Sequence, residues 1–258
     1  MNDSRATTSH DVTHSEPSST PTHHCAKFSG ELWEPIREMI ELALRWAPDI
    51  SEAWDPMAGV GTLEDIIEPL GLYPVGSEIE DGYAAARDWI LREDCRDHAE
   101  SHRLIITSCP YGNRLSDPYL GTPEEQRVRA ETGKRPRRMG YAIDLGHALD
   151  EANAARFHWG AGYRDEMASI WTAVAERTEG FLIVNVGSSF TTKRRKIDNG
   201  SHDTVVEYQP VAEWTLGYLL TKGLHLVRSQ FVETPGYRDG QNRGARVGGE
   251  MVYLFRRP

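Results

Sequence analysis

The string DPMAGVGT, Asp55 to Thr62, constrains the fold more than any other stretch of this chain. A short run that reads as a strand, residues 50–54, leads into it, and residues 63–67 can open a helix directly after it. Pro56 fixes its own φ, while Gly59 and Gly61 let the backbone turn and approach a ligand with no Cβ in the way. Strand, glycine turn and helix in that order make the first half of a βαβ unit. Further strand-like runs at 73–77, 103–107 and 181–186 alternate with helical stretches. An α/β fold with a mostly parallel sheet is therefore expected.

Ile36, Met39, Ile40, Ala43 and Leu44 keep three-four spacing and predict an amphipathic helix over 34–46. Tyr163, Met167, Ile170, Trp171 and Val174 predict another, with residues 176–180 turning into the next strand. Runs at 225–232 and 250–255 flank a loop rich in Gly and Arg and should pair as a terminal antiparallel hairpin. Residues 112–160 have weak periodicity and many Arg, Gly, Pro and Asp, which reads as a long insertion beside a site. Residues 1–24 have almost no large apolar side chains and are expected to be a disordered tail, leaving one domain over 25–258.

With 258 residues and 39% hydrophobic content, the chain can bury one sizeable core. No run approaches the roughly 18–20 apolar residues of a membrane span, and the N-terminus lacks the layout of a secretory signal, so a cytoplasmic protein with no membrane partner is expected. Cys25, Cys95 and Cys109 have no CxxC spacing, which argues for reduced thiols and against a disulfide framework or a zinc site; no metal is expected. The net charge of -10 is unlike that of a nucleic-acid binder. The positive charges are clumped, however, at Lys134, Arg135, Arg137 and Arg138, and again at Lys193, Arg194, Arg195 and Lys196. Either cluster alone reads as well as a solvated loop; two together favour a surface that faces a polyanion.

No lysine follows the glycines in the manner of a Walker motif, which counts against ATP or GTP. Downstream, Val75-Gly76-Ser77-Glu78 reads as a short strand ending in an acid. A carboxylate at Glu78 can accept both hydroxyls of a ribose, with Glu80 as the less favoured neighbour. This half of the site leaves a dinucleotide open. The second string, TSCPYGN from Thr107 to Asn113, narrows the choice.

In that order, the two strings resemble the amino-methyltransferases that modify nucleic-acid bases with S-adenosyl-L-methionine. Their signatures are DPFxGxGT, then an acidic or seryl residue, two prolines and an aromatic. Residues 63–106 between the strings are too few for an inserted recognition domain. Segments 141–149, 159–163 and 238–250 add weaker likenesses to bacterial and phage DNA enzymes of this kind. The resemblance implies a Rossmann-like methyltransferase fold. It also implies a cofactor site for S-adenosyl-L-methionine at Lys27, Phe28, Asp55, Met57, Gly59, Gly61, Thr62, Glu78 for the ribose, and Asp94 for the adenine amine. Ser108, Cys109, Pro110 and Tyr111 match the catalytic motif. Asn113 and Arg114, with the two basic clusters, would then face DNA, or RNA as the alternative, in a restriction-modification or phage setting.

The chemistry explains those residue types. The exocyclic amine of cytosine or adenine is a weak nucleophile because its lone pair is delocalised into the ring. Acceptors around the nitrogen, here the Ser108 side chain and the Cys109 carbonyl, turn that lone pair outward, and a stacked Tyr111 holds a base flipped from its helix. A leading serine is more typical of cytosine-amine enzymes than of adenine-amine ones. Cys109 stands where the pattern has its first proline, yet Pro110 keeps its predecessor extended, so the carbonyl is still aimed. Two alternatives stay open: Cys109 as a nucleophile toward a pyrimidine ring carbon, and a cofactor-binding protein that is catalytically silent.

Overall fold

The computed structural model of this chain describes residues 30–110, 128, 131–132, 141, 145, 147–196, 202–234 and 248–258, with only the backbone for 191–196 and 202–204. Its first helix, α1, spans Gly30–Trp46 and starts one turn before the expected 34. Pro35 suggests a helix start because it lacks an N–H. The extra turn forms because it buries Leu32 beside Ile36, Met39 and Ile40.

Strand β1, Glu52–Asp55, is followed by the glycine turn, a short helix α2, Glu64–Ile67, and β2, Tyr73–Glu78. Next come α3, Asp81–Ala84, β3, Ile90–Arg92, and β4, His102–Ser108. The long helix α4, Ala161–Arg177, runs straight into β5, Thr178–Val186. No turn separates them, contrary to the expectation for 176–180. The junction is held instead by side chains. Thr178 Oγ1 donates to the Val174 carbonyl at 2.8 Å, and Arg257 donates to the carbonyls of Ala175 and Thr178.

The sequence reading missed the short α3 and β3 and, later in the chain, three further elements. Strands β6, Ser189–Lys196, and β7, His202–Gln209, form a separate antiparallel ribbon, and helix α5 spans Val211–Thr221. The basic run Lys193, Arg194, Arg195 and Lys196, expected as a loop, thus lies on a strand, in register with Val205, Thr204, Asp203 and His202. The terminal hairpin forms as expected, from β8, His225–Glu233, and β9, Gly249–Arg256.

The main sheet has the order β3-β2-β1-β4-β5-β9-β8. Strands β1 to β5 pair in parallel, and β9 alone is reversed between β5 and β8. Strand residues alternate between two cores, as the pleat requires. Leu104, Ile106 and Ile183 face α1 and α2, whereas Ile105, Leu182 and Val184 pack with Tyr163, Met167 and Trp171 of α4. From β1 the chain first builds outward to β2 and β3 and then returns to lay β4 on the other flank. That change of direction opens a crevice beyond the carboxyl ends of β1 and β4, where open α/β sheets bind ligands.

Candidate active site

An open cavity occupies that crevice, with about 850 Å³ of space when its solvent-filled mouth is included. Its walls come from the ends of three adjacent parallel strands: Asp55 from β1, Glu78 from β2, and Ser108 from β4, continued by Cys109 and Pro110. Met57, Gly59 and Thr62 of the turn line it too, as does Asp94.

The turn is strapped down at both ends. Met57 N–H donates to Asp55 Oδ1 at 3.1 Å, Ala58 N–H to the Ser77 carbonyl at 3.0 Å, and Gly59 N–H to Glu78 Oε2 at 2.9 Å. Gly61 has φ +80, and a Cβ there would lie 2.7 Å from Arg87 Cγ, so only glycine fits both the conformation and the space. Gly61 therefore shapes the turn without being part of the cavity wall. Gly76 is a close-approach position: a Cβ would meet the Trp89 ring at 2.7 Å and Ala58 Cβ at 2.9 Å.

Glu78 is nearly buried. Its Oε1 accepts from Glu80 N–H at 2.9 Å, opposite the Gly59 bond on Oε2. A carboxylate has about four acceptor positions. One lone pair on each oxygen remains for a vicinal diol, which is the donor set of a ribose. Burial pushes Glu78 up to about 7 against the pull of those two N–H groups, and burial likewise pushes Asp55 up to about 7. Glu80, the neighbour considered for the same task, is engaged elsewhere: it accepts from Asp150 N–H and from Asn153 Nδ2, both at 2.8 Å. It thereby ties part of the 112–160 insertion to the cofactor side, where Tyr141 and Asn153 join the cavity wall.

Burial works against the Asp94 anion, but hydrogen bonds and the ion pair from Arg96 outweigh it and hold the carboxyl below its ordinary range. Arg96 Nη2 reaches Asp94 Oδ2 at 2.5 Å while Nη1 reaches Glu166 Oε1 of α4 at 2.5 Å. Asp94 is thus an ionised, oriented acceptor, and the arginine that orients it was not apparent from the sequence.

The string Ser108-Cys109-Pro110 is held from two sides. Cys109 N–H donates to the Asn185 carbonyl of β5 at 3.3 Å, and the Tyr163 hydroxyl of α4 donates to the Pro110 carbonyl at 2.8 Å. With Pro110's carbonyl so engaged, the Cys109 carbonyl is the backbone acceptor between it and Ser108. Burial pushes the Cys109 thiol up to about 12, with the Tyr163 hydroxyl beside it only partly offsetting that. A thiol in that state carries almost no thiolate at neutral pH, which disfavours the covalent route. The Asn185 support is a backbone carbonyl and leaves no mark in residue type; the signal for the other was the hydroxyl of Tyr163, read from sequence only as a core position. Tyr163→Phe removes the donor to Pro110 and leaves its carbonyl unpaired, a cost of about 1–3 kcal/mol. Turnover is expected to fall about tenfold or more while cofactor binding is kept; unchanged turnover would mean that Tyr163 only packs.

Tyr111, Lys27, Phe28, Asn113, Arg114, Lys134, Arg135, Arg137 and Arg138 lie outside the described residues. Strand β6, which carries Lys193 to Lys196, starts three residues beyond β5, whose Asn185 carbonyl holds Cys109, so the ribbon is rooted beside the string Ser108-Cys109-Pro110.

Seven strands in the order found, with β9 alone reversed, make an α/β, Rossmann-like sheet that is mostly parallel with an antiparallel edge. No family model and no curated protein matches the chain. Solved structures similar to it include magnesium protoporphyrin IX methyltransferase from Synechocystis PCC 6803 with bound SAM, at 10% identity over 88% of this chain and 80% of that one, with a TM-score of 0.47. An S-adenosylmethionine-dependent methyltransferase from Clostridium acetobutylicum shares 9% identity over 87% and 91% of the two chains, with a TM-score of 0.45. The N-methyltransferase NodS from Bradyrhizobium japonicum shares 11% over 90% and 99%, also with a TM-score of 0.45.

Proposed function

We propose that the protein transfers the methyl group of S-adenosyl-L-methionine to the exocyclic amine of a DNA base, cytosine in preference to adenine. One observation carries the reading: the glycine turn with Glu78 and Asp94, and the string Ser108-Cys109-Pro110, open into the same cavity. The cofactor supplies an electrophilic methyl on a sulfonium. Glu78 and Asp94 hold its ribose and adenine, and Asp55 adds negative charge near a cationic ligand. Ser108 and the Cys109 carbonyl accept from the amine and aim its lone pair at the methyl, while Tyr111 stacks on the base. As the N–C bond forms and the C–S bond breaks, the surplus proton on nitrogen passes to solvent.

The β6 and β7 ribbon supports a duplex partner. A two-stranded ribbon fits the major groove, and its strand β6 carries the basic run Lys193, Arg194, Arg195 and Lys196 in sequence. The test is incubation with labelled cofactor and pools of DNA or RNA, then digestion and mass spectrometry of the nucleosides. N4-methylcytosine from DNA is expected. Label on a ring carbon, in RNA alone, or in no nucleoside overturns the proposal.

The pocket carboxylates also set a pH dependence. A cation bearing two hydroxyl donors favours the anionic forms of Asp55 and Glu78, so affinity for the cofactor should rise between about pH 6 and pH 8 as these groups, near 7 when buried, ionise. For the protein alone the sign is reversed. Folded values raised above the unfolded ones, about 3.9–4.3, contribute stability at low pH that is lost as pH rises through 7. Tm should therefore fall from about pH 5 to pH 8, and added cofactor should raise Tm more at the upper end. Scanning calorimetry across that range checks both, and a cofactor-induced shift that is flat in pH refutes the assignment.

A further inference from the structure

Behind Trp54, away from the proposed chemistry, two histidines face each other in an arrangement with a proton too few. His98 and His102 are both buried, and their Nε2 atoms lie 2.9 Å apart. His98 Nδ1 sits 2.6 Å from Glu93 Oε1, and His102 Nδ1 sits 3.0 Å from Glu52 Oε1.

The hydrogen bonds around them decide where the protons are. Trp54 Nε1 is a donor only and gives its hydrogen to Ser77 Oγ at 3.0 Å. Ser77 in turn gives its own to Glu93 Oε1 at 2.6 Å. Glu93 is therefore an acceptor and takes its second hydrogen from His98 Nδ1. Glu52 takes one from His102 Nδ1 in the same way. With both Nδ1 atoms protonated, two neutral imidazoles would direct bare Nε2 lone pairs at each other, which is repulsive. Something positive belongs between them, either one extra proton or a metal ion.

We infer that His98, His102 and Glu100 form a binding site for a divalent transition-metal ion of the zinc type. The ligand atoms these three residues offer lie within 4.8 Å of one another, and Glu100 is exposed where the two imidazoles are not. Two Zn–N bonds of about 2.0–2.1 Å at a tetrahedral angle place the nitrogens about 3.3 Å apart, about 0.4 Å wider than found, and both rings, now nearly end to end with centroids 5.1 Å apart, must also turn so that their lone pairs meet at the ion. Each histidine already has the partner that metal-bound imidazoles generally have, a carboxylate on the remote nitrogen that fixes tautomer and ring plane. The frame is stiff. Trp54 stacks on both rings at centroid distances of 4.4 and 5.2 Å, and Arg177 clamps the carbonyls of Arg96 and His98.

Such an ion would pin the 93–101 segment to the starts of β1 and β4. Because Glu93 also borders the cofactor cavity, the site would stiffen that wall. Binding requires neither cofactor nor DNA, so its test stands apart from the proposed activity.

The full chain is stripped with a chelator, then titrated with Zn2+ by calorimetry and with Co2+ by visible ligand-field absorption. One ion per chain is expected, with proton release, a raised Tm and a tetrahedral cobalt spectrum. Glu52→Gln alters a half-exposed outer carboxylate and should weaken binding about 10–100-fold with the fold intact; Glu100→Ala should weaken it about tenfold or more. These two variants keep the test decisive if His102→Gln fails to fold. Absence of stoichiometric binding overturns the proposal, as does binding indifferent to both substitutions. So does nitrogen NMR showing a shared Nε2 proton that persists in the presence of Zn2+.

Discussion

Replacing Glu78 with Ala is expected to lower affinity for S-adenosyl-L-methionine by at least about 100-fold. Two hydrogen bonds from ribose hydroxyls to a carboxylate contribute about 1.5–3 kcal/mol each, and about 1.4 kcal/mol is tenfold in affinity. The same carboxylate clasps the turn through Gly59 N–H and the next segment through Glu80 N–H, so the change also loosens the mouth of the site. Global stability should respond far less. Losing an acceptor for two buried N–H groups is opposed by relief from burying a charge whose ionisation is already pushed up to about 7. Glu78→Gln, which keeps one carbonyl acceptor but turns an NH2 toward an N–H, should fall in between. Calorimetric titration with the cofactor checks this, and unchanged affinity in Glu78→Ala would remove the ribose assignment.

The second large effect is expected at the catalytic string. Tyr111→Ala should lower transfer by about 100-fold or more with cofactor affinity unchanged, since stacking contributes about 1–3 kcal/mol per base and also positions the amine. Loss of cofactor binding instead would make Tyr111 a structural residue. Cys109 supplies the contrast. If only its carbonyl matters, Cys109→Ser retains most activity and the product carries its methyl on nitrogen. A dead Cys109→Ser enzyme would revive the thiol mechanism despite a thiol pushed up to about 12. Cys109→Pro is a subtler case, because proline removes the N–H that reaches the Asn185 carbonyl. At 3.3 Å that bond is long, so activity should survive with a stability loss of about 1 kcal/mol.

The parts legible in the sequence were those that rest on local periodicity. The glycine turn, the amphipathic α1 and the apolar β4 and β5 each carry their signal within ten residues or so. The ribbon of β6 and β7 was missed because a run of Lys and Arg masks the alternation by which a strand is usually read. The join of α4 to β5 was missed for a different reason: contacts from Arg257, eighty residues away in sequence, replace the expected turn.

The sequence by itself determined an α/β chain, the turn at Asp55 to Thr62, and Glu78 and Ser108 as the acids and acceptors worth testing. It could do so because residue type and spacing encode strand, turn and helix locally. Only the tertiary structure decided that those residues share one cavity, that Glu80 binds Asp150 and Asn153 of the insertion, that Arg96 orients Asp94, and that the Tyr163 hydroxyl and the Asn185 carbonyl hold the string Ser108-Cys109-Pro110. It also brought His98 and His102 against Glu93 and Glu52. Each of those is a contact between residues far apart in the chain, set by the order in which the strands are laid into the sheet.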